Sequence, residues 1–155
     1  MKKPEEHPSL TSFIEAYFKN RESKWSKCFM KHVLPTRTIY AEEGYAIFEF
    51  DITKEIVDEN NNLLHGFIAT ILDVCMAMGF WEPYNRGLYL GGVTIDMSFT
   101  FIDKAKLGET IIIKCSTIKA NDNIGFFKGE IFRKSDNVLI ANGKQTLSFR
   151  PKARI

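Results

Sequence analysis

Apolar side chains first recur at helical spacing close to the N-terminus of the chain. Behind a polar tail at residues 1–8, one helix face collects five of them: Leu10, Phe13, Ile14, Tyr17 and Phe18. Ser9 stands just before this face, where a hydroxyl oxygen accepts hydrogen bonds from the first turn of a helix. The spacing predicts an amphipathic helix from Ser9 to about Trp25, and Pro35 marks a break before the next element.

The middle of the chain carries two different patterns. Over residues 45–52, apolar and acidic side chains alternate, which predicts a half-buried strand with four apolar residues on one side: Ala46, Phe48, Phe50 and Ile52. After a polar loop, a continuous apolar stretch runs from Phe67 to Trp81. Because that stretch is too long for a typical strand, it predicts a buried helix, which Pro83 and Gly87 end.

The last third of the chain has the alternation typical of β-strands. Five apolar residues share one side of the first strand: Val93, Ile95, Met97, Phe99 and Phe101. The residues between them share the other side: Thr94, Asp96, Ser98 and Thr100. Three further apolar segments follow at residues 111–118, 126–132 and 138–149, with turn-forming residues between them. Strands that follow one another without intervening helices predict an antiparallel sheet.

One sheet wrapped around one apolar helix satisfies this order of elements. The helix is apolar all round, so the sheet covers only part of it, and a partner subunit is the natural cover for the rest. The predicted architecture is an α+β domain with an antiparallel sheet around one long buried helix and an extra N-terminal helix.

Composition narrows the class of protein without naming an activity. The 155 residues are 45% hydrophobic and 26% charged, which suits one soluble globular domain. A net charge of +2 is too small to predict nucleic acid as a partner, and no apolar run is long enough to span a membrane. Three separated cysteines and an N-terminus without an apolar signal region favour a cytoplasmic protein, with a mitochondrial location left open.

The predicted buried helix contains a single charged side chain, Asp73, about two turns after its start. Burying a carboxylate without partners is costly, so Asp73 is expected either to bind a neighbouring polar group or to take part in catalysis. His65 and Gly66 lie where the helix should begin, and free N–H groups there can hold a carbonyl oxygen that becomes negative during acyl transfer. The plainer interpretation is a loop-to-helix junction where Gly66 serves backbone geometry alone.

Spacing along the helix constrains any joint role for these residues. His65 and Asp73 are eight positions apart, which on one helix separates them by roughly 12 Å. They cannot both touch one reacting carbon within a single subunit. If both serve one reaction, helices of two subunits must lie antiparallel, with Asp73 of one near Gly66 of the other. A catalytic interpretation therefore predicts a dimer.

Other chemical signatures are absent from the sequence. It has no G-x-S-x-G nucleophile elbow, no phosphate-binding G-x-x-x-x-G-K-[ST], no H-E-x-x-H and no paired C-x-x-C. We therefore expect neither a metal ion nor a separate cofactor.

Two segments resemble hotdog-fold acyl-CoA thioesterases of the phenylacetyl- and hydroxybenzoyl-CoA type, closest to their eukaryotic medium- to long-chain branch. The first runs from a loop asparagine through Leu64-His65-Gly66 to Asp73; the second is the strand at residues 92–101 with the L-G-E turn behind it. The resemblance covers about residues 36–150 and implies a hotdog domain there. Residues 1–35 would form a tail and helix, and residues 151–155 a short basic tail.

The resemblance also implies an activity and residue roles. The protein would be a homodimer or a tetramer of dimers that hydrolyses acyl-CoA to a free acid and CoA, which is part of the substrate. Gly66 would donate its backbone N–H to the thioester carbonyl, assisted by His65. Asp73 of the opposing subunit would act as general base or nucleophile, with Thr94 and Asn60 orienting the water.

The chain departs from the family pattern at the helix start. The family usually has His-Gly-Gly with the acid nine residues after the His, whereas here Phe67 replaces the second glycine and Asp73 comes at eight. The position of the usual loop asparagine is Glu59, and Asn60 follows it.

Substrate-contacting residues are predicted on the same basis. Lys104 and Lys106 are candidates for the CoA phosphates, as are the C-terminal Arg150, Lys152 and Arg154, although solvated surface is the plainer interpretation. An acyl chain would lie along four large side chains that are otherwise ordinary core residues: Phe67, Met76, Phe80 and Trp81.

Three alternatives stay open from the sequence alone. The first is a hotdog module that binds acyl-CoA or an acyl carrier without turning it over, which the altered loop favours slightly. The second is an enoyl-thioester hydratase or dehydratase, and the third is a structural protein in which the apolar helix serves only dimerisation.

Overall fold

The N-terminal helix forms where the apolar spacing places it. The computed structural model describes residues 9–79, 92–121 and 123–149. Helix α1 spans Leu10–Trp25, and the Ser9 hydroxyl accepts a hydrogen bond from the Ser12 backbone N–H at 3.2 Å. Ile14 and Phe18 on its apolar face are buried in the core. The predicted helix and its cap are confirmed.

Six strands form a single antiparallel sheet in the order β1-β2-β4-β5-β6-β3. Their bounds are Arg37–Glu42, Tyr45–Asp51, Gly92–Phe101, Thr110–Ala120, Ile124–Arg133 and Leu139–Phe149 for β1 to β6. The second helix, α2, spans His65–Met78 and packs against five of these strands. A sheet wrapped around one buried helix is the hotdog fold, so the predicted fold class is confirmed.

The core lies between α2 and the inner face of the sheet. Alternate residues of the central strands are buried beneath the helix, including Phe48, Ile113 and Phe127. Gly129 of β5 lets the helix approach closely, because a Cβ there would lie 2.8 Å from Leu72 and 2.9 Å from Met76. This close packing fixes which residues of α2 face away from the sheet.

Helix α2 starts where the sequence predicts and ends within the predicted apolar run. It begins at His65, ahead of the apolar run, and ends at Met78. The carbonyl oxygen of Gly79, the residue after the helix, accepts a hydrogen bond from the Thr117 hydroxyl at 3.0 Å. The predicted apolar run extended to Trp81, and its last two residues, Phe80 and Trp81, lie outside the described residues.

Strand β1 was not predicted. Its position at the sheet edge leaves Thr38 as its one buried residue, and the pairing with β2 is irregular between Thr38 and Tyr40. Such a strand shows no alternation of apolar and polar residues, which is the signal that a sequence offers.

Strand β3 contains a bulge that changes which residues face α2. Its pairing with β6 shifts between Thr94 and Asp96, so Ile95 has no partner residue. Because one extra residue reverses the alternation, Thr94 points to the same side as Met97 and Phe99. The prediction that Thr94 lies on the opposite side of the strand from Met97 was therefore wrong.

Strand β3 forms the edge of the sheet opposite β1, and this edge is called the open edge because its apolar side chains are exposed. Val93, Ile95, Met97 and Phe101 are exposed there, Ile95 to 58%.

Neither α1 nor α2, the helices within the described residues, has the length and hydropathy that a membrane-spanning helix needs.

Candidate active site

Three polar side chains from three elements meet at one point: Asp73 of α2, Thr94 of β3 and Gln145 of β6. The Thr94 hydroxyl of β3 donates a hydrogen bond to Asp73 Oδ1 at 2.8 Å. The Gln145 amide of β6 donates to the same oxygen at 2.5 Å and lies 3.1 Å from the Thr94 hydroxyl oxygen and from the Asp73 carbonyl oxygen. The carboxylate is thus held by hydrogen bonds, which meets the cost of placing it on an apolar helix.

The local structure of each strand explains why Thr94 and Gln145 point towards Asp73. The bulge in β3 turns Thr94 towards the helix, as bulges commonly re-aim a side chain. Gln145 stands at an inward-facing position of β6, in step with the buried Gly143 and Leu147. Sequence reasoning missed Gln145, although a polar residue at an inward position of an apolar strand was the signal that could have revealed it.

Both donors use the same carboxylate oxygen. Within the described residues, no hydrogen bond reaches Asp73 Oδ2. The side chain is only half-buried, so this second oxygen has access to a ligand. A carboxylate oriented through one oxygen and open at the other suits proton abstraction or direct attack.

Helix α1 carries a tyrosine, Tyr17, that is near enough to Asp73 to respond to its charge. Burial raises the pKa of the Tyr17 hydroxyl, the guanidinium of Arg21 opposes that shift, and the negative charge of Asp73 adds to it. The Arg21 guanidinium carbon lies 3.3 Å from the centre of the Tyr17 ring. The N-terminal helix therefore forms part of the surroundings of Asp73.

A second group surrounds the N-terminus of α2. A pocket of about 470 Å³ opens there, and its lining includes Asn60, His65, Gly66 and Lys104. Leu64 precedes the helix in an extended conformation and gives it no side-chain cap. The first N–H groups of a helix have no intrahelical partner, so those of this turn are available to a ligand.

Gly66 is exposed in that turn and has open space beside its backbone. A Cβ added there would meet no atom within 4 Å, so packing within the subunit does not require a glycine. The His65 ring stacks on Phe101 of β3 at a centroid distance of 3.9 Å, which ties the helix start to the open edge of the sheet. The free space at Gly66 is available to a ligand or to a second subunit.

The loop before α2 is shaped by Asp58. Its Oδ1 accepts hydrogen bonds from the backbone N–H groups of Asn60 and Asn62, both at 2.9 Å. The bond from Asn62, with that from Asn60, lowers the pKa of the Asp58 carboxyl. Asn61 between them has a φ of 61°, a conformation that asparagine tolerates better than most residues. This turn brings Asn60 to the pocket beside Gly66.

The two groups lie on one helix but not at one point. Asp73 follows His65 by eight residues of α2, which is roughly 12 Å along the axis. The structure of the subunit brings Asn60, His65, Gly66 and Lys104 together, and it brings Asp73 and Thr94 together. It does not join the two groups.

The other predicted contact residues have different settings. Phe67 and Met76 are fully buried in the core, where Phe67 packs 5.1 Å from Phe50 between ring centres. Their contact with an acyl chain stays a prediction. Lys106 is exposed in the turn after β3, where its backbone N–H donates to Glu109. The basic residues Arg150, Lys152 and Arg154 lie outside the described residues.

Metal and thiol chemistry have little support in residues 9–79, 92–121 and 123–149. No three His, Cys, Asp or Glu side chains in these ranges are grouped so that they could share a metal ion. Burial raises the pKa of the Cys75 and Cys115 thiols, so neither forms the reactive thiolate readily.

Comparisons with known proteins identify the family to which the chain belongs. A family model of the thioesterase superfamily matches residues 60–140. Human acyl-coenzyme A thioesterase 13 is 31% identical over 108 residues, which cover 70% of this chain and 75% of the relative. The chain therefore belongs to the thioesterase superfamily, and its resemblance to that family is confirmed.

Solved structures share the fold. Zebrafish thioesterase superfamily member 2 aligns with a TM-score of 0.79 at 24% identity, covering 92% of this chain and all 100% of its own. A Streptococcus mutans protein, solved bound to acetyl CoA, aligns with a TM-score of 0.66 at 15% identity, covering 76% and 90% of the two chains.

Proposed function

We propose that this protein hydrolyses acyl-CoA thioesters to a free acid and CoA. The observation that carries the proposal is the Asp73 carboxylate, which Thr94 and Gln145 hold through one oxygen and leave open at the other. The human relative named acyl-coenzyme A thioesterase supports this substrate class, as does the fold neighbour solved with acetyl CoA.

The reaction needs a site for the carbonyl oxygen and a site for the attacking group. First-turn N–H groups of α2, above all that of Gly66, would hold the oxygen as it becomes negative. Asp73 would take a proton from water as that water attacks the carbonyl carbon, or would attack the carbon itself. When water attacks, the carbon–sulfur bond then breaks and the CoA thiolate leaves with the proton that Asp73 took. When Asp73 attacks, the thiolate leaves first, and water then hydrolyses the acyl-Asp73 anhydride, which releases the free acid, restores the carboxylate and supplies the proton of the CoA thiol.

These two sites meet only if two subunits share them. We propose a homodimer in which the open edge at β3 faces a second copy, with the two α2 helices antiparallel. The exposed apolar residues of β3 support this arrangement, because a strand edge with exposed apolar side chains is a surface for pairing. Asp73 of one subunit would then work beside Gly66 of the other.

The pocket at the helix start suits the CoA side of the substrate. Lys104 lines it beside Gly66, and the exposed Lys106 follows two residues later. We place phosphate groups of CoA near these two cations and the thioester at the helix N-terminus. Asn60 would orient the carbonyl or the water from the loop.

Release of free thiol from a panel of acyl-CoAs tests the proposal. Asp73→Asn should lower kcat by about 10³-fold because it removes the base while keeping the size of the side chain. Asp51→Asn is the matched control, since this carboxylate lies exposed on β2 in an ion pair with Arg37, and it should keep kcat within about 2-fold.

The altered loop pattern keeps one second candidate in view, a module that binds acyl-CoA without turnover. Tight binding of acyl-CoA by the wild-type protein, with no thiol released at any chain length, would establish that candidate and refute hydrolysis.

A further inference from the structure

Arg133 at the end of β5 forms hydrogen-bond and ion-pair contacts with the loop at residues 103–109. Its Nη2 donates to the Lys104 carbonyl oxygen and lies 3.7 Å from an Asp103 carboxylate oxygen. Its Nε lies 3.6 Å from Glu109, and its Nη1 lies 2.7 Å from Asp136 in the turn after β5. The Arg133 side chain as a whole is 16% exposed.

The two loop carboxylates also bind the backbone of their own loop. Asp103 accepts the Lys104 N–H at 2.7 Å, and Glu109 accepts the Lys106 N–H at 2.6 Å. Gly108, with a φ of 84°, lets the chain turn between these points. Arg133 therefore neutralises and joins the groups that give the loop its shape.

This loop is in turn bonded to the segment that leads into α2. The Leu63 N–H donates to the Ala105 carbonyl oxygen at 2.7 Å, and the Leu107 N–H donates to the Asn61 carbonyl oxygen at 2.9 Å. Helix α2 begins two residues after Leu63. A continuous set of contacts thus runs from Arg133 to the first turn of α2.

We propose that Arg133 is a positioning residue that holds the helix start, and with it Gly66, in place for the thioester carbonyl. The inference rests on the proposed function, because it assigns Arg133 to the carbonyl half of that site. Arg133 acts through the loop and does not contact the substrate. Its role is distinct from phosphate binding, since the guanidinium is already engaged by three carboxylates.

The test compares Arg133→Gln with Arg37→Gln. Arg37 is a matched control because it also pairs with two carboxylates, Glu49 and Asp51, but on β1 and β2 and not on the loop. Each variant is assayed for kcat and KM on an acyl-CoA and on the corresponding acyl-N-acetylcysteamine thioester, which lacks the nucleotide and its phosphates. Arg133→Lys is included as the conservative variant.

Arg133→Gln should lower kcat by about 10- to 100-fold on both thioesters, with KM changed by no more than about 3-fold, because a small displacement of the donors harms the chemical step. Arg133→Lys should fall between Arg133→Gln and the wild type, and Arg37→Gln should match the wild type. A raised KM confined to the CoA substrate, or equal kcat values for Arg133→Gln and Arg37→Gln, would overturn the inference.

Amide hydrogen exchange separates this inference from the proposed function. The N–H groups of Leu63 and Leu107 should exchange faster in Arg133→Gln than in the wild type or in Arg37→Gln. Failure of the wild-type protein to hydrolyse either thioester would refute the proposed function. The exchange rates would then still decide whether Arg133 holds the helix start, and unchanged rates would reject it.

Discussion

The two halves of helix α2 are built in opposite ways. At its N-terminus the groups offered to a ligand are backbone N–H donors, displayed by an exposed turn at Gly66 and shaped by the loops on either side. Around Asp73 they are side chains contributed by α2, β3 and β6 and gathered at a part-buried point. The first half depends on the path of the backbone, and the second on the identity of three residues.

This difference explains why the departure from the family's His-Gly-Gly pattern leaves the N–H donors at the start of α2 in place. Phe67 stands where the family usually has a second glycine, yet its side chain turns into the core and leaves the helix start open. A backbone donor site tolerates such a change because the N–H group persists whatever the side chain. The Asp73 half has no such tolerance.

Among the hydrogen-bond donors of the two groups, the largest effect should come from removing the backbone N–H of Gly66. Gly66→Pro deletes that N–H in the first turn, where proline is tolerated, and should lower kcat by about 10²- to 10³-fold. Gly66→Ala keeps the N–H and adds a methyl group where the subunit has free space. Measured kcat should therefore fall much further for Gly66→Pro than for Gly66→Ala at equal helix content by circular dichroism. Equal losses would mean that space, and not the donor, matters at this position.

A smaller effect is expected on the side-chain half. Gln145→Met removes the amide donor at similar length, and Thr94→Val removes the hydroxyl donor at similar shape. Each should lower kcat by about 10- to 100-fold with little change in KM, because Asp73 loses orientation. Thr94→Ser should restore most of the activity. Both donors bind Oδ1 of Asp73, so the fold-loss of kcat in the double variant should be smaller than the product of the two single fold-losses. A loss equal to that product would mean that the two donors do not act through one shared carboxylate oxygen.

The smallest effect should come from thiol labelling of the native protein. Cys28 is exposed, whereas Cys75, two residues beyond Asp73, and Cys115 are fully buried with raised thiol pKa values. Mass spectrometry after brief treatment with a maleimide should find one label, on Cys28, and unchanged hydrolytic activity. Labelling of Cys75 would instead show that the part of α2 next to Asp73 opens to solvent.

Alternation and helical spacing were enough to predict an antiparallel sheet wrapped around one buried helix, and the resemblance implied that this is the hotdog fold. They located α1, β2 and the buried helix because each of these buries one regular set of side chains. They failed at β1, whose edge position removes the apolar pattern, and at the β3 bulge, which no periodicity reveals. A bulge depends on pairing with β6, which is a contact between residues far apart in sequence.

The candidate site divides along the same line. Asp73 and Gly66 could be singled out from the sequence because each is exceptional within its own helix. Gln145 and Arg133 act through neighbours about 70 and 30 residues away, and only the folded chain brings those partners together.

Subunit complementation asks whether Asp73 of one chain and Gly66 of another form one active site. Asp73→Asn and Gly66→Pro proteins, each inactive alone, are unfolded together and refolded as a mixture. Random pairing makes half of the dimers mixed, each with one intact site, so activity should return to about one quarter of the wild-type value. A mixture that forms mixed dimers and stays inactive would contradict a site shared between subunits.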